Sequence, residues 1–256
     1  MDLGLADRVY VITGASRGLG LASARALVAE GARVAIVARP SDALDAAVTA
    51  LGASAIAVPA DLADADAAEH AVESALGAFG RLDGALLSVG GPPPGSVLTT
   101  TDDQWRASFD SVFLGSIRMA RAVCTGIASC GQASTGSLAW VLSTSAVEVF
   151  TGLTISNGLR PGLAMLVKDL ADEVGPTGIR VNGLLPGRIA TDRLAALDAA
   201  SGDAAAARAR ASARIPLGRY GEPDEFGRVA AFVLSPAAAY VTGTLIAVDG
   251  GVTRQP

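Results

Sequence analysis

Short, almost uninterrupted apolar runs alternate with longer Ala-rich stretches along the whole chain. A run that is apolar at every position is typical of a parallel strand covered on both faces, and the longer stretches are typical of helices. The runs predict seven strands, at Val9–Thr13, Arg33–Ala38, Ala55–Pro59, Gly84–Ser88, Ser137–Ser143, Ile179–Leu184 and Leu245–Val248. Helices are predicted near residues 18–30, 42–51, 64–79, 102–128, 155–174, 191–212 and 222–235.

This alternation of strands and helices predicts an α/β fold, a doubly wound parallel sheet with helices on both faces. Because no linker, repeat or charge block divides the chain, we expect a single domain over residues 1–256.

Charge and composition exclude several classes of partner. The 256 residues carry a net charge of −5 and show no run of Lys and Arg, so no nucleic acid partner is expected. The N-terminus does not resemble a signal peptide, and no apolar run reaches the length of a membrane span, so we expect no membrane partner and a cytoplasmic protein. The chain has one His (His70), one Lys (Lys168) and two Cys, which predicts no metal site. Any acid–base chemistry must use very few groups.

A glycine-rich turn follows the first predicted strand and opens the first predicted helix. Its sequence, from Thr13 to Gly20, is TGASRGLG. Glycines at these places allow a tight turn and let the backbone approach a pyrophosphate, while the helix N-terminus offers free N–H groups to the phosphates. The alternative is a merely structural turn. The expected cofactor-binding residues of the turn are Gly14, Ser16, Arg17, Gly18, Leu19 and Gly20.

The residues after the second and third strands bear on which nucleotide is bound. Arg39 stands where an acidic residue would bind the ribose hydroxyls of NAD, and Arg17 lies in the glycine turn. Two guanidinium groups suit a 2′-phosphate, so NADP(H) is expected to be preferred over NAD(H). The alternative for Arg39 is a solvated charge at a strand end. Asp61 and Leu62 follow the third strand and suit the adenine, although Asp61 is alternatively the N-cap of helix 64–79.

With these motifs the sequence resembles the short-chain dehydrogenase/reductase family, in particular its 3-oxoacyl-carrier-protein reductase-like branch. Besides TGASRGLG, the resemblance is carried by Asp61-Leu62, Gly90-Gly91, RVNGLLPG at 180–187, IPLGRYGEP at 215–223 and VDGG at 248–251. The resemblance implies a Rossmann-like domain, a nicotinamide cofactor, hydride transfer with a small-molecule carbonyl or alcohol, and a homo-oligomer, either a tetramer or a dimer. It also implies further cofactor-binding positions, at Ser88, Gly90, Arg160, Pro186, Gly187, Ile189 and Thr191.

The family's Asn–Ser–Tyr–Lys catalytic set is not matched. Aligned on the helix that ends near residue 174, the Tyr position holds Ser156 and the Lys position holds Arg160, while Val112 holds the Asn position. The remaining Ser is assigned to Ser145, with Ser143 as the alternative because the usual spacing to the Tyr position selects it. The expected catalytic residues are therefore Ser145, Ser156 and Arg160.

These replacements weaken the supply of a proton. An aliphatic hydroxyl and a guanidinium are both far weaker acids than a phenol next to an ammonium group. Arg160 is expected to stabilise a developing alkoxide, to hold the ribose hydroxyls, or to pair structurally with a carboxylate, and Ser156-Asn157 is alternatively a helix cap. The predicted function is an NADP(H)-dependent oxidoreductase that reduces a ketone, a quinone or a polyketide/acyl-type carbonyl. The alternatives are a non-redox enzyme (a cyclase, isomerase or dehydratase) or a non-catalytic cofactor-binding protein.

Overall fold

The computed structural model describes residues 2–131, 136–200 and 202–254. In that part of the chain seven strands form one parallel sheet in the order β3-β2-β1-β4-β5-β6-β7. The strands are β1 (Val9–Thr13), β2 (Arg33–Ala38), β3 (Ala55–Pro59), β4 (Gly84–Ser88), β5 (Ser137–Val141), β6 (Arg180–Pro186) and β7 (Leu245–Val248). The predicted seven-stranded parallel sheet is confirmed.

The helices of the described residues lie on both faces of the sheet. They are α1 (Gly18–Ala29), α2 (Asp42–Leu51), α3 (Ala67–Phe79), α4 (Asp102–Ser108), α5 (Gly115–Ser129), α6 (Thr154–Val174), α7 (Asp192–Ala199), α8 (Ala204–Ser212) and α9 (Pro223–Leu234). Side chains of successive β1 residues point to opposite faces. Val9 and Val11 pack with α3, α5 and α6, while Tyr10 and Ile12 pack with α1, α2 and α9. The apolar strands therefore support two cores, one on each face.

Two helix predictions need correction. The stretch predicted as one helix over 191–212 forms two, because Gly202 adopts a left-handed φ of +89° and the Asp203 carboxylate accepts a hydrogen bond from the Ala206 N–H at 2.9 Å, which caps α8. Helix 64–79 begins at Ala67 instead, since the Asp61 carboxylate accepts from the Ala63 N–H at 3.0 Å in a tight turn. Asp61 is therefore not the cap of α3, and that alternative is wrong.

The helical stretch Asp102–Ser129 is long and apolar enough to cross a membrane by length and composition alone. No such span was expected from the apolar runs of the sequence. In the structure Met119, Val123 and Ile127 of this stretch are buried in the core beneath the sheet, where α5 packs against α3. A core helix meets the same criteria of length and composition as a membrane span, so this finding is weak evidence for one.

The carboxyl ends of β1 and β4 meet at the point where the strand order reverses. Chain connections leave these two strands in opposite directions along the sheet, which opens a crevice there. The Thr13 hydroxyl donates a hydrogen bond to the Ser88 carbonyl at 2.8 Å and joins the two strand ends. The glycine turn and the residues that follow β4 are thus placed on either side of the crevice.

Candidate active site and cofactor groove

The glycine turn has the close backbone packing that only glycine permits. Gly14 has a φ of +59°, its N–H donates to the Val37 carbonyl at 2.8 Å, and a Cβ at this position would collide with the Ser88 carbonyl oxygen. A Cβ on Gly20 would lie 2.6 Å from the Gly14 carbonyl oxygen. The turn therefore lies directly against the end of β4 and leads into α1 at Gly18. Such a cradle at a helix N-terminus fits the pyrophosphate of a dinucleotide.

The charged and adenine-side candidates lie around the same edge of the sheet. Arg17 precedes α1 with an extended backbone, Arg39 follows β2, and both are exposed. Ser16 and Leu19 of the turn are half-buried. Leu62 is also half-buried, and its backbone packs so tightly on α5 that a Cβ on Gly115 would collide with its carbonyl oxygen.

The segment after β6 crosses over the glycine turn. The Thr191 hydroxyl accepts a hydrogen bond from the Leu194 N–H at 3.4 Å and caps α7, while its methyl group lies 3.9 Å from where a Cβ on Gly18 would be. Ile189 is buried and pairs by its backbone with Gly221. Gly187 packs against Asp249, where a Cβ would lie 2.7 Å from the Asp249 Cβ. With the half-buried Pro186, these residues form one wall of the groove.

A salt-bridged cluster anchors α7. The Asp198 carboxylate accepts hydrogen bonds from the Tyr220 hydroxyl at 3.0 Å and from the Arg188 guanidinium at 3.2 Å, and Arg208 lies 4.7 Å above the centre of the Tyr220 ring. Burial, followed by the hydrogen bond to Asp198, raises the pKa of Tyr220. Tyr220 is therefore a structural residue of this wall. It was not among the expected catalytic or cofactor-binding residues.

Two serine hydroxyls meet at the end of β5. The Oγ atoms of Ser145 and Ser156 lie 2.8 Å apart within hydrogen-bond distance, and both residues are buried. The Ser143 hydroxyl instead accepts from the Ser145 N–H at 3.0 Å and caps the short 3₁₀ turn that carries Ser145. Ser143 therefore shapes the turn, and the structure brings Ser145 rather than Ser143 to Ser156, the residue expected at the Tyr position of the family.

Ser156 does not act as a helix cap. It lies in the first turn of α6, which begins at Thr154. The neighbouring Asn157 amide donates to the Phe150 carbonyl at 2.8 Å and accepts from the Phe150 N–H at 3.2 Å, so it closes the preceding loop. The capping alternative for Ser156-Asn157 is therefore wrong. The Ser156 hydroxyl lies within hydrogen-bond distance of the Ser145 hydroxyl instead.

Arg160 lies one helical turn beyond Ser156 on the same face of α6, and only 4% of its surface is exposed. Its guanidinium donates to the Val141 carbonyl at 2.7 Å, and its Nε is buried without a hydrogen-bond partner among the described residues. Burial, and next the charge of Arg193, lower the pKa of Arg160 to about 10, so the group is still a cation at pH 7. Its expected structural pairing with a carboxylate is absent from the ion pairs of the described residues.

Val112, which was expected at the Asn position of the family, is buried inside a π-helical turn (Phe109–Leu114) between α4 and α5. The Ser116 hydroxyl donates to the Val112 carbonyl at 2.6 Å. Ser88, at the end of β4, is buried, and Gly90 is exposed with open space where a Cβ would be.

Arg193 of α7 is a candidate site residue that the sequence analysis misses. Its guanidinium donates to the carbonyls of Gly91 at 2.6 Å and Pro92 at 2.8 Å, and it fills the space that a Cβ on Gly91 would need. It therefore spans the groove from α7 to the loop after β4. A single Arg in a polar surface helix carries no sequence signal, so only the fold reveals this contact.

The remaining ionisable residues lie outside the site. Lys168 forms an ion pair with Asp172 at 3.3 Å on the exposed face of α6, as expected for a solvated residue, and His70 is exposed. Cys124 and Cys130 are free thiols and half-buried, and burial raises the pKa of Cys124 to about 11. None of these groups contributes to the chemistry at Ser145 and Ser156.

Comparison with known proteins identifies the family. The enoyl-(acyl carrier protein) reductase family matches residues 14–253. L-rhamnose 1-dehydrogenase (NAD(P)(+)) of Azotobacter vinelandii is 35% identical over 255 residues, 97% of each chain. L-sorbose reductase of Gluconobacter frateurii, solved with NADPH and L-sorbose, superposes with a TM-score of 0.93 at 29% identity over 100% of both chains.

A third similar protein bears on the expected catalytic residues. It is a short chain oxidoreductase of Pseudomonas aeruginosa PAO1, solved with NADPH and described as containing an atypical catalytic center. It has a TM-score of 0.89 and 32% identity over 98% of both chains. The fold, the glycine turn and these matches along nearly the whole sequence place the chain in the short-chain dehydrogenase/reductase family of oxidoreductases.

Proposed function

We propose that this protein is an NADP(H)-dependent oxidoreductase that reduces a carbonyl compound with Ser145, Ser156 and Arg160 in place of the usual catalytic set. The observation that carries the proposal is the 2.8 Å contact between the Ser145 and Ser156 hydroxyls, one helical turn from the buried Arg160 cation. This cluster lies at the carboxyl edge of the sheet, the same edge as the glycine cradle. Ketones, quinones and polyketide or acyl-type carbonyls are the candidate substrates.

NADP(H) supplies the hydride in such a reaction, and the protein has to stabilise the charge that develops on the carbonyl oxygen. The two hydroxyls are the donors for that oxygen, and the Arg160 cation lowers the energy of the alkoxide. Because neither group releases a proton readily near pH 7, water delivers it, and a carbonyl already polarised by conjugation is favoured over a simple ketone. The P. aeruginosa relative supports this proposal, since it binds NADPH with a centre described as atypical.

The proposed preference for NADP(H) rests on Arg39 and Arg17, two exposed guanidinium groups at the carboxyl ends of β2 and β1. In Arg39→Asp we expect the Kd of NADPH to rise about 10- to 100-fold, because charge-assisted hydrogen bonds to a 2′-phosphate are lost, while the Kd of NADH does not rise. Fluorescence titration of both nucleotides measures this. The exposed Arg210→Asp in α8 makes the same change of charge away from the groove and should leave both Kd values unchanged. Equal effects of the two variants would contradict the assignment of Arg39.

The same titration, followed by absorbance at 340 nm with ketones, quinones and β-keto thioesters, separates the candidate functions. NADPH binding with oxidation on a carbonyl is the expected result. Product formation without cofactor oxidation would favour a cyclase, isomerase or dehydratase, and binding without turnover would favour a cofactor-binding protein. If neither nucleotide bound, the proposal would be wrong.

We also propose that the chain forms a homo-oligomer, a dimer or a tetramer. Large apolar side chains lie on the outer surface of the helical layer: Phe109 is 44% exposed and Met165 is 73% exposed. A second copy of the chain would remove these side chains from water.

A further inference from the structure

A short segment after β7 is folded onto the wall of the cofactor groove. The Asp249 carboxylate accepts hydrogen bonds from the Gly251 N–H at 2.8 Å and from the Thr253 N–H at 2.9 Å. Asp249 also packs so closely on Gly187 that a Cβ added to this glycine would lie 2.7 Å from the Asp249 Cβ. Residues 249–254, which we call the C-terminal strap, are therefore fixed at one end to the groove wall.

The other end of the C-terminal strap is bound to the loop after β5. The backbone N–H of Arg254 donates to the Glu148 carboxylate at 2.7 Å, although the two residues are 106 positions apart. Glu148 is half-buried and is the only charged residue of the sequence between Arg121 and Arg160. Within the described ranges it forms no ion pair, so the group that it binds is the N–H of Arg254 and not the guanidinium.

Glu148 belongs to the same hydrogen-bonded turn as Ser145. The Glu148 N–H donates to the Thr144 carbonyl at 3.0 Å, and the Ala146 N–H donates to the Ser143 carbonyl at 2.9 Å. Ser145 lies inside this turn, and its own N–H donates to the Ser143 hydroxyl at 3.0 Å. Because these bonds hold the turn as one unit, the contact between Glu148 and the C-terminal strap also fixes the position of Ser145.

We infer that Glu148 is a positioning residue, which holds the Ser145 hydroxyl next to Ser156 by accepting the Arg254 N–H. The inference rests on the proposed function, in which the two hydroxyls bind the carbonyl oxygen. The 2.8 Å contact between them joins the turn after β5 to α6, so it depends on what holds the turn in place. Small displacements of groups that contact the reacting atoms are costly to catalysis. Glu148 itself transfers no proton and acts only as a hydrogen-bond acceptor.

Glu148→Ala removes the acceptor and is expected to lower kcat for carbonyl reduction about three- to tenfold, because Ser145 is then held less firmly beside Ser156. The Kd of NADPH should not change, since the glycine turn is untouched. Glu148→Gln keeps an acceptor oxygen and should restore most of the kcat. Steady-state kinetics and fluorescence titration of NADPH measure these effects. An unchanged kcat in Glu148→Ala overturns the inference, and so does an equal loss in Glu148→Gln, which would show that the negative charge is what matters.

The donor is tested separately at Arg254. Arg254→Pro removes the backbone N–H, whereas the matched variant Arg254→Ala removes the guanidinium and keeps the N–H. We expect Arg254→Pro to lower kcat as much as Glu148→Ala does, and Arg254→Ala to keep the native kcat. Because both changes break one hydrogen bond, the double variant of Glu148→Ala and Arg254→Pro should be no slower than either single variant. Losses that multiply in the double variant would contradict the inference.

Amide hydrogen exchange covers the case in which no carbonyl is reduced. In Glu148→Ala the amides of Ala146 and Glu148 should exchange at least threefold faster than in the native protein, and in Glu148→Gln they should exchange at the native rate. Faster exchange in a protein that reduces no carbonyl would contradict the proposed function and leave the role of the C-terminal strap standing. Carbonyl reduction with the exchange and the kcat both unchanged in Glu148→Ala would do the reverse.

Discussion

Replacing Arg160 with methionine is expected to lower carbonyl reduction about 100-fold or more and, at the same time, to make the fold more stable by about 1–2 kcal/mol at pH 7. The loss of activity follows from removing a cation that stabilises the developing alkoxide, for which losses of about 10²- to 10³-fold are typical. The gain in stability follows from burial, because Arg160 is a cation with 4% of its surface exposed that has, among the residues the structure describes, neither an acidic partner nor a hydrogen bond from its Nε. Urea unfolding and kcat/KM measure the two effects.

The pH dependence gives the sign of the stability effect. Burial lowers the pKa of Arg160 from its usual value to about 10 in the folded protein, so the unfolded chain holds its proton more tightly. Between these two values the unfolded state binds more protons, and stability rises as the pH rises through that window. Below pH 10 the full cost, up to about 3 kcal/mol, is present. The methionine variant removes that cost but also the hydrogen bond to Val141, which leaves the smaller net gain.

Arg180→Met is the matched control. Arg180 is half-buried and its pKa is also lowered by burial, but its guanidinium donates to three carbonyls, of Val233, Val241 and Ser235, at 2.9–3.1 Å. The same substitution there leaves buried acceptors without donors and should destabilise the fold. If Arg160→Met destabilised the protein as Arg180→Met does, Arg160 would be an ordinary structural residue.

Gly14→Ala is expected to destabilise the fold by about 2–4 kcal/mol and to lower NADPH-dependent turnover about 100-fold. An alanine here would have to adopt the left-handed φ of +59° and place its Cβ against the Ser88 carbonyl. To avoid that collision the phosphate turn has to move away from β4, and small displacements of bound reactants are costly to catalysis. Denaturant unfolding and NADPH-dependent kinetics measure the result.

Gly52→Ala separates backbone strain from the collision. Gly52 ends α2 with a φ of +68°, and nothing lies within 4 Å of where its Cβ would be. The Gly52→Ala substitution should therefore lower the free energy of unfolding by about 1–2 kcal/mol, because alanine is strained in the left-handed conformation. Turnover should be unchanged. Equal losses of stability and turnover in the two variants would show that the packing of Gly14 against Ser88 plays no special part.

The fold was predictable because local and tertiary preferences agree. Apolar runs such as Val9–Thr13 are buried on both faces, so their composition alone identifies them as parallel strands. The break between α7 and α8 was missed because Ala-rich sequence favours helix on both sides of Gly202, and only the capping by Asp203 reveals it. The start of α3 was missed because the Asp61 turn competes with the helix for the same backbone groups.

The features of the site that depend on the spacing of residues along the chain were predictable from the sequence. Ser156 and Arg160 share a helix, so their spacing alone places both on one face. The choice between Ser143 and Ser145 depends on the loop between β5 and α6, and only the coordinates show one hydroxyl capping the turn and the other meeting Ser156. Arg193 was not predictable, because its contact with Gly91 joins residues about a hundred positions apart.

The central proposal is that this protein transfers hydride at the Ser145–Ser156–Arg160 cluster. Mass spectrometry of the alcohol formed with NADPH that carries two deuterium atoms at C4 of the dihydronicotinamide, with ketones and β-keto thioesters as substrates, tests it most directly. We expect one deuterium on the former carbonyl carbon of the alcohol product, at a rate about 100-fold lower in Arg160→Met. Product without deuterium, or deuterium transfer at the same rate in Arg160→Met, would contradict it.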